Sequence, residues 1–214
     1  MSEVILKCTS LQKNYEQEII FKDFSFEVKK GEIVAIIGKS GIGKSTLLRI
    51  ISTLDREYIG NIFIDGINIK SLKGKDLALF RNKKIGIVFQ DNNLLPEFNS
   101  LENICIPGYI FGKKKEVDLI GEKLLNDLEI INCKNKFPYQ ISGGQAQRVA
   151  IARALINSPC IVFADEPTGN LDESSAQNIH EIILNLRKKY TQTFVIVTHN
   201  KGLMSIADKI VEVK

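Results

Sequence analysis

No apolar stretch of this chain approaches the ~20 residues that an α-helix needs to cross a bilayer, so no membrane-spanning helix is expected. Any task at a membrane would fall to the water side. The opening Met1-Ser2-Glu3-Val4 has neither a basic n-region nor an apolar h-region, and no signal peptide is expected. Cysteine is sparse: Cys8, Cys105, Cys133 and Cys160 form no C-x-x-C pair and have no histidine at metal-ligand spacing. That pattern disfavours a zinc site or a disulfide framework and suits a reducing cytosol. Cys160, which opens an apolar run, reads as a small buried hydrophobe. An excess of one charge is also missing, with 29 Lys+Arg against 25 Asp+Glu and a net charge of +4. A dedicated nucleic-acid binder carries more positive charge, gathered on one face. The short runs Lys113-Lys114-Lys115 and Arg187-Lys188-Lys189 read as a solvated loop and a solvated helix end. Prolines are few, and there is no low-complexity tract and no internal repeat.

What is present fits one sizeable core, or a core with a small inserted unit, in 214 residues of which 44% are hydrophobic. Phe24-Ser25-Phe26-Glu27-Val28 alternates as a half-buried strand does. Ile33-Val34-Ala35-Ile36-Ile37 is apolar throughout, as are Ile85 to Phe89, Ile161 to Ala164 and Phe194 to Val197, which suits strands of a parallel sheet buried on both faces. Ile62 to Ile69, with Asp65-Gly66 in its middle, reads as an edge hairpin, and Lys209 to Val213 as a last strand. Ile179, Ile182, Ile183 and Leu186 form one stripe of a helix beginning near Ser174, and Leu119, Leu124, Leu125 and Leu128 a similar stripe near 117–131. From Leu94 to Lys136 the pattern is mostly helical, an insertion in an α/β core.

The sharpest motif is Gly38-Lys39-Ser40-Gly41-Ile42-Gly43-Lys44-Ser45, a full match to G-x-x-x-x-G-K-[ST], followed by helical Thr46 to Ile51. Glycines let the backbone wrap phosphate oxygens closely, and the helix N-terminus adds partial positive charge at the same place. Lys44 is expected to reach the β- and γ-phosphates and the Ser45 hydroxyl to bind Mg²⁺. No N-K-x-D accompanies the loop, so a guanine-reading enzyme is excluded.

The apolar run ending in Asp165-Glu166 places two acids at a strand end. Beside a phosphate loop, Asp165 suits Mg²⁺ and Glu166 suits orienting or deprotonating the attacking water. Upstream, Ile141-Ser142-Gly143-Gly144-Gln145 opens a second helix, again an anion-binding start. The economical use of two phosphate-competent helix tips in one chain is that the second serves a neighbouring copy's nucleotide.

With those residues on view, the chain resembles an ABC-type ATPase over essentially its whole length, each family motif occurring in the family's order. Ser142-Gly143-Gly144-Gln145 is similar to the family signature, with Ile141 in place of the usual leucine. Tyr15 stands where such proteins stack an aromatic ring on adenine. Gln90, after Ile87-Val88-Phe89, matches the loop glutamine that touches Mg²⁺ and relays to a transmembrane partner. Asn170-Leu171-Asp172 matches the loop linking dimer halves, and His199, after Val197-Thr198, the switch histidine at the γ-phosphate. The resemblance implies a P-loop NTPase core with a mainly parallel sheet, an N-terminal antiparallel β subdomain and an inserted α-helical subdomain. Residues 1–90 and 156–214 would form the first two and 91–155 the third.

It further implies a head-to-tail homodimer with ATP at the interface. Tyr15, Gly38, Lys39, Ser40, Gly41, Ile42, Gly43, Lys44, Ser45 and Thr46 of one subunit would meet Ser142, Gly143, Gly144 and Gln145 of the other. Ser45, Gln90 and Asp165 would hold Mg²⁺, and Glu166, His199, Lys44 and Gln90 would serve catalysis. Leu94-Leu95-Pro96, Leu101-Glu102-Asn103 and Asp165 to Asp172 resemble the branch serving lipoprotein release, macrolide-type export and a cell-division complex. In that branch the ATPase is a separate subunit on the cytoplasmic face of the membrane, bound to a permease beside the glutamine loop. Leu94, Leu95, Phe98, Ile104, Ile106, Tyr109 and Phe111 lie in that region, expected as mainly subdomain core with a few left for docking. An export or extraction motor is the preferred expectation, and a regulator of cell-wall enzymes through a membrane partner is the alternative. A nucleic-acid or ribosome-associated ATPase is disfavoured by the single cassette and the missing heptad insertion and basic tail. No regulatory domain is expected beyond Lys214.

Overall fold

The computed structural model describes residues 3–15 and 18–213. The side chains of Tyr15 and Glu18 are outside it, so the expectation placed on the Tyr15 ring lies outside the described residues.

Two sheets carry the fold. The first is antiparallel, ordered β2-β1-β4-β5 from β1 (Val4–Tyr15), β2 (Glu18–Lys29), β4 (Ile59–Ile64) and β5 (Ile67–Asn68). Asp65 and Gly66, both at positive φ, turn the edge hairpin between β4 and β5. The second is parallel, ordered β6-β7-β8-β3-β9 from β3 (Ile33–Ile37), β6 (Ile85–Val88), β7 (Ile161–Asp165), β8 (Phe194–Val197) and β9 (Lys209–Glu212). Its apolar strands are covered on both sides, as their continuous hydrophobicity requires. Val34, Ile36, Phe163, Val195 and Val197 face α1 (Lys44–Ile51) and the antiparallel sheet. Ile33, Val162, Ala164, Phe194 and Ile196 face a helical layer.

That layer contains α3 (Ser100–Tyr109), α4 (Lys114–Asp127), α5 (Gly143–Leu155) and α6 (Glu173–Tyr190). The remaining helices, α2 (Gly74–Lys84) and α7 (Lys201–Ser205), precede β6 and follow β8. Ile179, Ile182, Ile183 and Leu186 of α6 are all buried, as their spacing demands.

The stripe on α4 differs from its sequence expectation. Leu119 is 61% exposed, while Val117, Leu124, Leu125 and Leu128 are buried. The step from 119 to 124 is five residues, which turns Leu119 off the face that 117, 121, 124, 125 and 128 share. The helix also ends earlier than expected, because Glu129 adopts a positive φ and a short 3-10 turn follows. Cys160 is only half-buried and donates to the Lys84 carbonyl at 3.1 Å, with burial pushing its thiol up to about 11. In the segment after Gln90, Ile104 is wholly buried, Leu94, Ile106 and Tyr109 partly so, and Leu95, Phe98 and Phe111 exposed.

Leu125 fills the helical core and Leu119 does not. Leu125→Ala is therefore expected to cost about 2–5 kcal/mol of stability, and Leu119→Ala no more than about 0.5 kcal/mol. Urea denaturation of both variants measures the contrast, and equal costs would contradict this packing.

Candidate functional site

Four neighbouring strands of the parallel sheet end at one edge, where α/β sheets place their ligands. Past β3 the chain enters the loop from Gly38 to Gly43, past β6 it reaches Gln90, past β7 Glu166, and past β8 His199.

The loop after β3 is shaped by close approaches. Gly43 has φ 102°, and a Cβ there would lie 2.2 Å from Ile20 Cγ2 of β2. A Cβ on Gly38 would lie 2.7 Å from the Val213 carbonyl oxygen. Only glycine fits either position. Ile42 packs into the core below, while Lys39, Ser40 and Gly41 are exposed on the loop's outer side. The Lys44 Nζ folds back to donate to the carbonyls of Gly38 and Lys39, each at 3.0 Å, and so spans the cradle. Helix α1 has no side-chain cap. The N–H groups of Lys44, Ser45 and Thr46 therefore lack intrahelical acceptors and point, with the helix dipole, into the loop.

Ser45 Oγ donates to Asp165 Oδ1 at 3.2 Å, joining the loop to the end of β7. Burial pushes the Asp165 carboxyl above its ordinary range and the Glu166 charge adds to this, while the Ser45 hydroxyl and Lys44 pull it down. Such a carboxylate gains from a cation beside it. Among the described residues no three His, Cys, Asp or Glu side chains cluster as a metal cage. One hydroxyl and one carboxylate nevertheless suit Mg²⁺, which keeps several waters and takes substrate phosphates as further ligands. When bound, the ion would neutralise phosphate charge.

Glu166 has φ 43°, a left-handed conformation that costs a non-glycine residue roughly 1–2 kcal/mol. Its backbone is held there by a bond from its N–H to the Val197 carbonyl at 2.9 Å and one from the Gly169 N–H to its own carbonyl at 3.0 Å. The strained turn aims the side chain at His199. His199 Nδ1 lies 2.8 Å from Glu166 Oε1, and the His199 N–H donates to Oε2 at 3.3 Å. Glu166 is largely enclosed and the imidazole is 78% exposed. A carboxylate fixed this way can accept a proton from water, with the histidine holding it and facing outward.

Gln90 reaches the loop after β7. Its Nε2 donates to Asn170 Oδ1 at 3.3 Å, and Asn170 Nδ2 donates to Asp91 Oδ1 at 3.0 Å. Asp172 caps α6, accepting from the Ser175 N–H at 2.9 Å and from the hydroxyls of Ser174 and Ser175 at 2.6 Å each, which hold its carboxyl well below the usual range. Leu171 is partly buried against the helical core and lies near Gly143.

The second helix tip stands apart. Ser142 caps α5, accepting from the Gln145 N–H at 3.3 Å, and the Gln145 side chain accepts from the Ser142 N–H at 3.0 Å. Ser142, Gly144 and Gln145 border a cleft of ≈ 250 Å³ with Arg148, Ser175 and Asn178. Among the described residues no hydrogen bond or ion pair joins 142–145 to the phosphate loop, Asp165, Glu166 or His199. Among the described residues the two helix tips are thus not bonded to each other, the α1 tip being uncapped and the α5 tip closed by its own capping box.

A family model described as ABC transporter matches residues 21–169, which include the phosphate loop, the capped α5 tip and the Asp165-Glu166 pair. The chain belongs to the ABC transporter family. This ABC ATPase is 47% identical to the lipoprotein-releasing system ATP-binding protein LolD of Cytophaga hutchinsonii, over 96% of this chain and 94% of the relative. It is 44% identical to LolD of Aquifex aeolicus, over 98% and 94%. Among solved structures, the dimeric post-hydrolysis state of the ATP-binding cassette MJ0796, bound to ADP and Pi, matches with TM-score 0.87 at 37% identity, covering 98% of this chain and 94% of that one. The cassette cbiO1 from Clostridium perfringens, part of the ABC transporter complex cbiONQ, matches with TM-score 0.90 at 28% identity, covering 99% and 85%.

Two residues that hold the segment after Gln90 went unnoticed in the sequence: Asp91, which accepts from Asn170, and Arg153 of α5, which reaches the carbonyls of Asn92 and Asn93. Asn92-Asn93 alone carried a signal, as a turn-forming pair that tolerates positive φ.

The Glu166–His199 contact makes one clear demand. His199→Ala is expected to lower ATP turnover by at least about tenfold with nucleotide affinity within about threefold. Steady-state kinetics with a binding titration measures both. A turnover near that of the unmodified chain would show that Glu166 acts without the imidazole.

Proposed function

We propose that two copies of this ABC ATPase bind two ATP molecules head to tail and hydrolyse them to drive a separate transmembrane permease. In this reading the phosphates lie in the cradle of Gly38 to Thr46, with Lys44 against the terminal phosphates and Tyr15 against adenine. Ser45, Asp165 and Gln90 hold Mg²⁺. Glu166, oriented by His199, takes a proton from the attacking water. Ser142, Gly143, Gly144 and Gln145 of the second copy close over the terminal phosphoryl group, and Asn170, Leu171 and Asp172 line the contact between copies.

One observation carries the reading. The uncapped α1 tip and the Ser45–Asp165 and Glu166–His199 contacts gather at one sheet edge, while among the described residues the α5 tip makes no bond to any of them. Each chain then brings one complete half-site and the cap for another. A cap that binds the γ-phosphate favours the joined state with ATP and releases it with ADP, which is the differential affinity that a ligand-driven motion requires.

The LolD relatives support lipoprotein release from a membrane as the task, with residues 91–155 as a helical unit beside the permease and the rest as nucleotide-binding core. No helix among the described residues is long and apolar enough to cross a membrane. The subunit would sit peripherally on the cytoplasmic face, and no nucleic-acid partner is proposed.

Glu166→Gln is expected to retain ATP binding, lose turnover and accumulate an ATP-dependent dimer. Size-exclusion chromatography with light scattering tests this. A protein that stays monomeric at saturating ATP and Mg²⁺ contradicts the shared site.

A further inference from the structure

The segment that follows Gln90 is moored at three points. At its start, Asn170 bonds both Gln90 and Asp91. At its end, the wholly buried Asn103 donates to the carbonyls of Leu95, Phe98 and Asn99 at 3.0, 2.8 and 3.1 Å and accepts from the Leu95 N–H at 2.8 Å. Between them, Asn92 and Asn93 have φ of 54° and 48°. Asparagine tolerates left-handed backbone better than most residues, yet two in succession make a strained turn. An unmade bond accompanies the strain, since Asn92 Oδ1 is buried and without a hydrogen-bond partner.

Arg153 holds this turn. Its Nη2 donates to the Asn92 carbonyl at 2.5 Å and its Nη1 to the Asn93 carbonyl at 2.6 Å. The two donors of a rigid fork satisfy both carbonyls together, which a lysine's single nitrogen does not reproduce. Arg153 stands in the last turn of α5, at the far end from Ser142.

We infer that Arg153 is a positioning residue that makes α5 and the turn after Gln90 move as one body. The inference rests on the shared-nucleotide reading. If Ser142 grips the partner's nucleotide while Gln90 attends its own, the Arg153 fork links the two sites through a single helix. Gripping one nucleotide then repositions Gln90 beside the other.

The test uses the full chain. Arg153→Ala is expected to lower kcat for ATP about tenfold with KM within about twofold, since the guanidinium acts through position and does not touch nucleotide. Amide hydrogen exchange at 91–95 should rise in the same variant. Replacing Asn92 and Asn93 by glycine in the Arg153→Ala chain should recover part of kcat and of the protection, because glycine keeps positive φ without a clamp. A purely structural arginine would not be rescued this way. Arg153→Lys, which keeps the charge and stem, should still show reduced kcat at unchanged KM, and it decides the matter alone if Arg153→Ala does not fold. Wild-type kcat in Arg153→Lys, unchanged exchange at 91–95 in Arg153→Ala, or no recovery by the glycine pair overturns the inference. None of these outcomes bears on ATP-dependent dimerisation, whose absence would instead overturn the shared-nucleotide reading.

Discussion

Two helix N-termini in this chain open on glycine-rich turns, and no bond among the described residues links one to the other. The tip of α1 opens from the phosphate loop without a side-chain cap, so its first N–H groups await an acceptor. The tip of α5 is closed on itself by Ser142 and Gln145, with two glycines exposing backbone beside them. The rest of the molecule depends on that separation. Asp165, Glu166 and His199 gather beside the first tip, and on the proposed function residues 142–145 are left to the partner's nucleotide.

The layers that impose the separation also tune the first tip. Parallel strands buried on both faces bring the ends of β3, β7 and β8 side by side, and antiparallel β2 presses Ile20 against Gly43 from outside. Two strained segments sit at this edge: Glu166 after β7 and Asn92-Asn93 after β6, each over-determined by hydrogen bonds. Strain at such places persists only where surroundings enforce it. Here the enforcing groups are the Val197 carbonyl, the Gly169 N–H and the Arg153 guanidinium.

Legibility in the sequence followed the range of the interaction. The phosphate loop and the strand before it were readable because loop, glycines and lysine are adjacent in the chain and the preceding run is apolar without interruption. The α6 stripe was readable for the same reason. Leu119 misled because an approximate spacing admits a leucine that the true helical period rotates into solvent. Arg153 was invisible: its partners lie 60 and 61 residues away, and its bonds go to carbonyls that only an unusual backbone presents. The Glu166–His199 distance was likewise hidden, since the parallel order β7-β8 and not the chain order makes them neighbours.

Sharing of each nucleotide between chains is tested most directly by mixing two inactive subunits, one Glu166→Gln and the other Ser142→Arg. A heterodimer then contains one site with both defects and one site with neither. Sharing predicts that turnover in an equal mixture rises well above the sum of the separate preparations, toward about a quarter of the unmodified level set by random pairing of a two-fold dimer. If each chain instead completed its own site, both sites of every dimer would stay broken. Turnover would remain at that sum, and the shared terminal phosphoryl group would be contradicted.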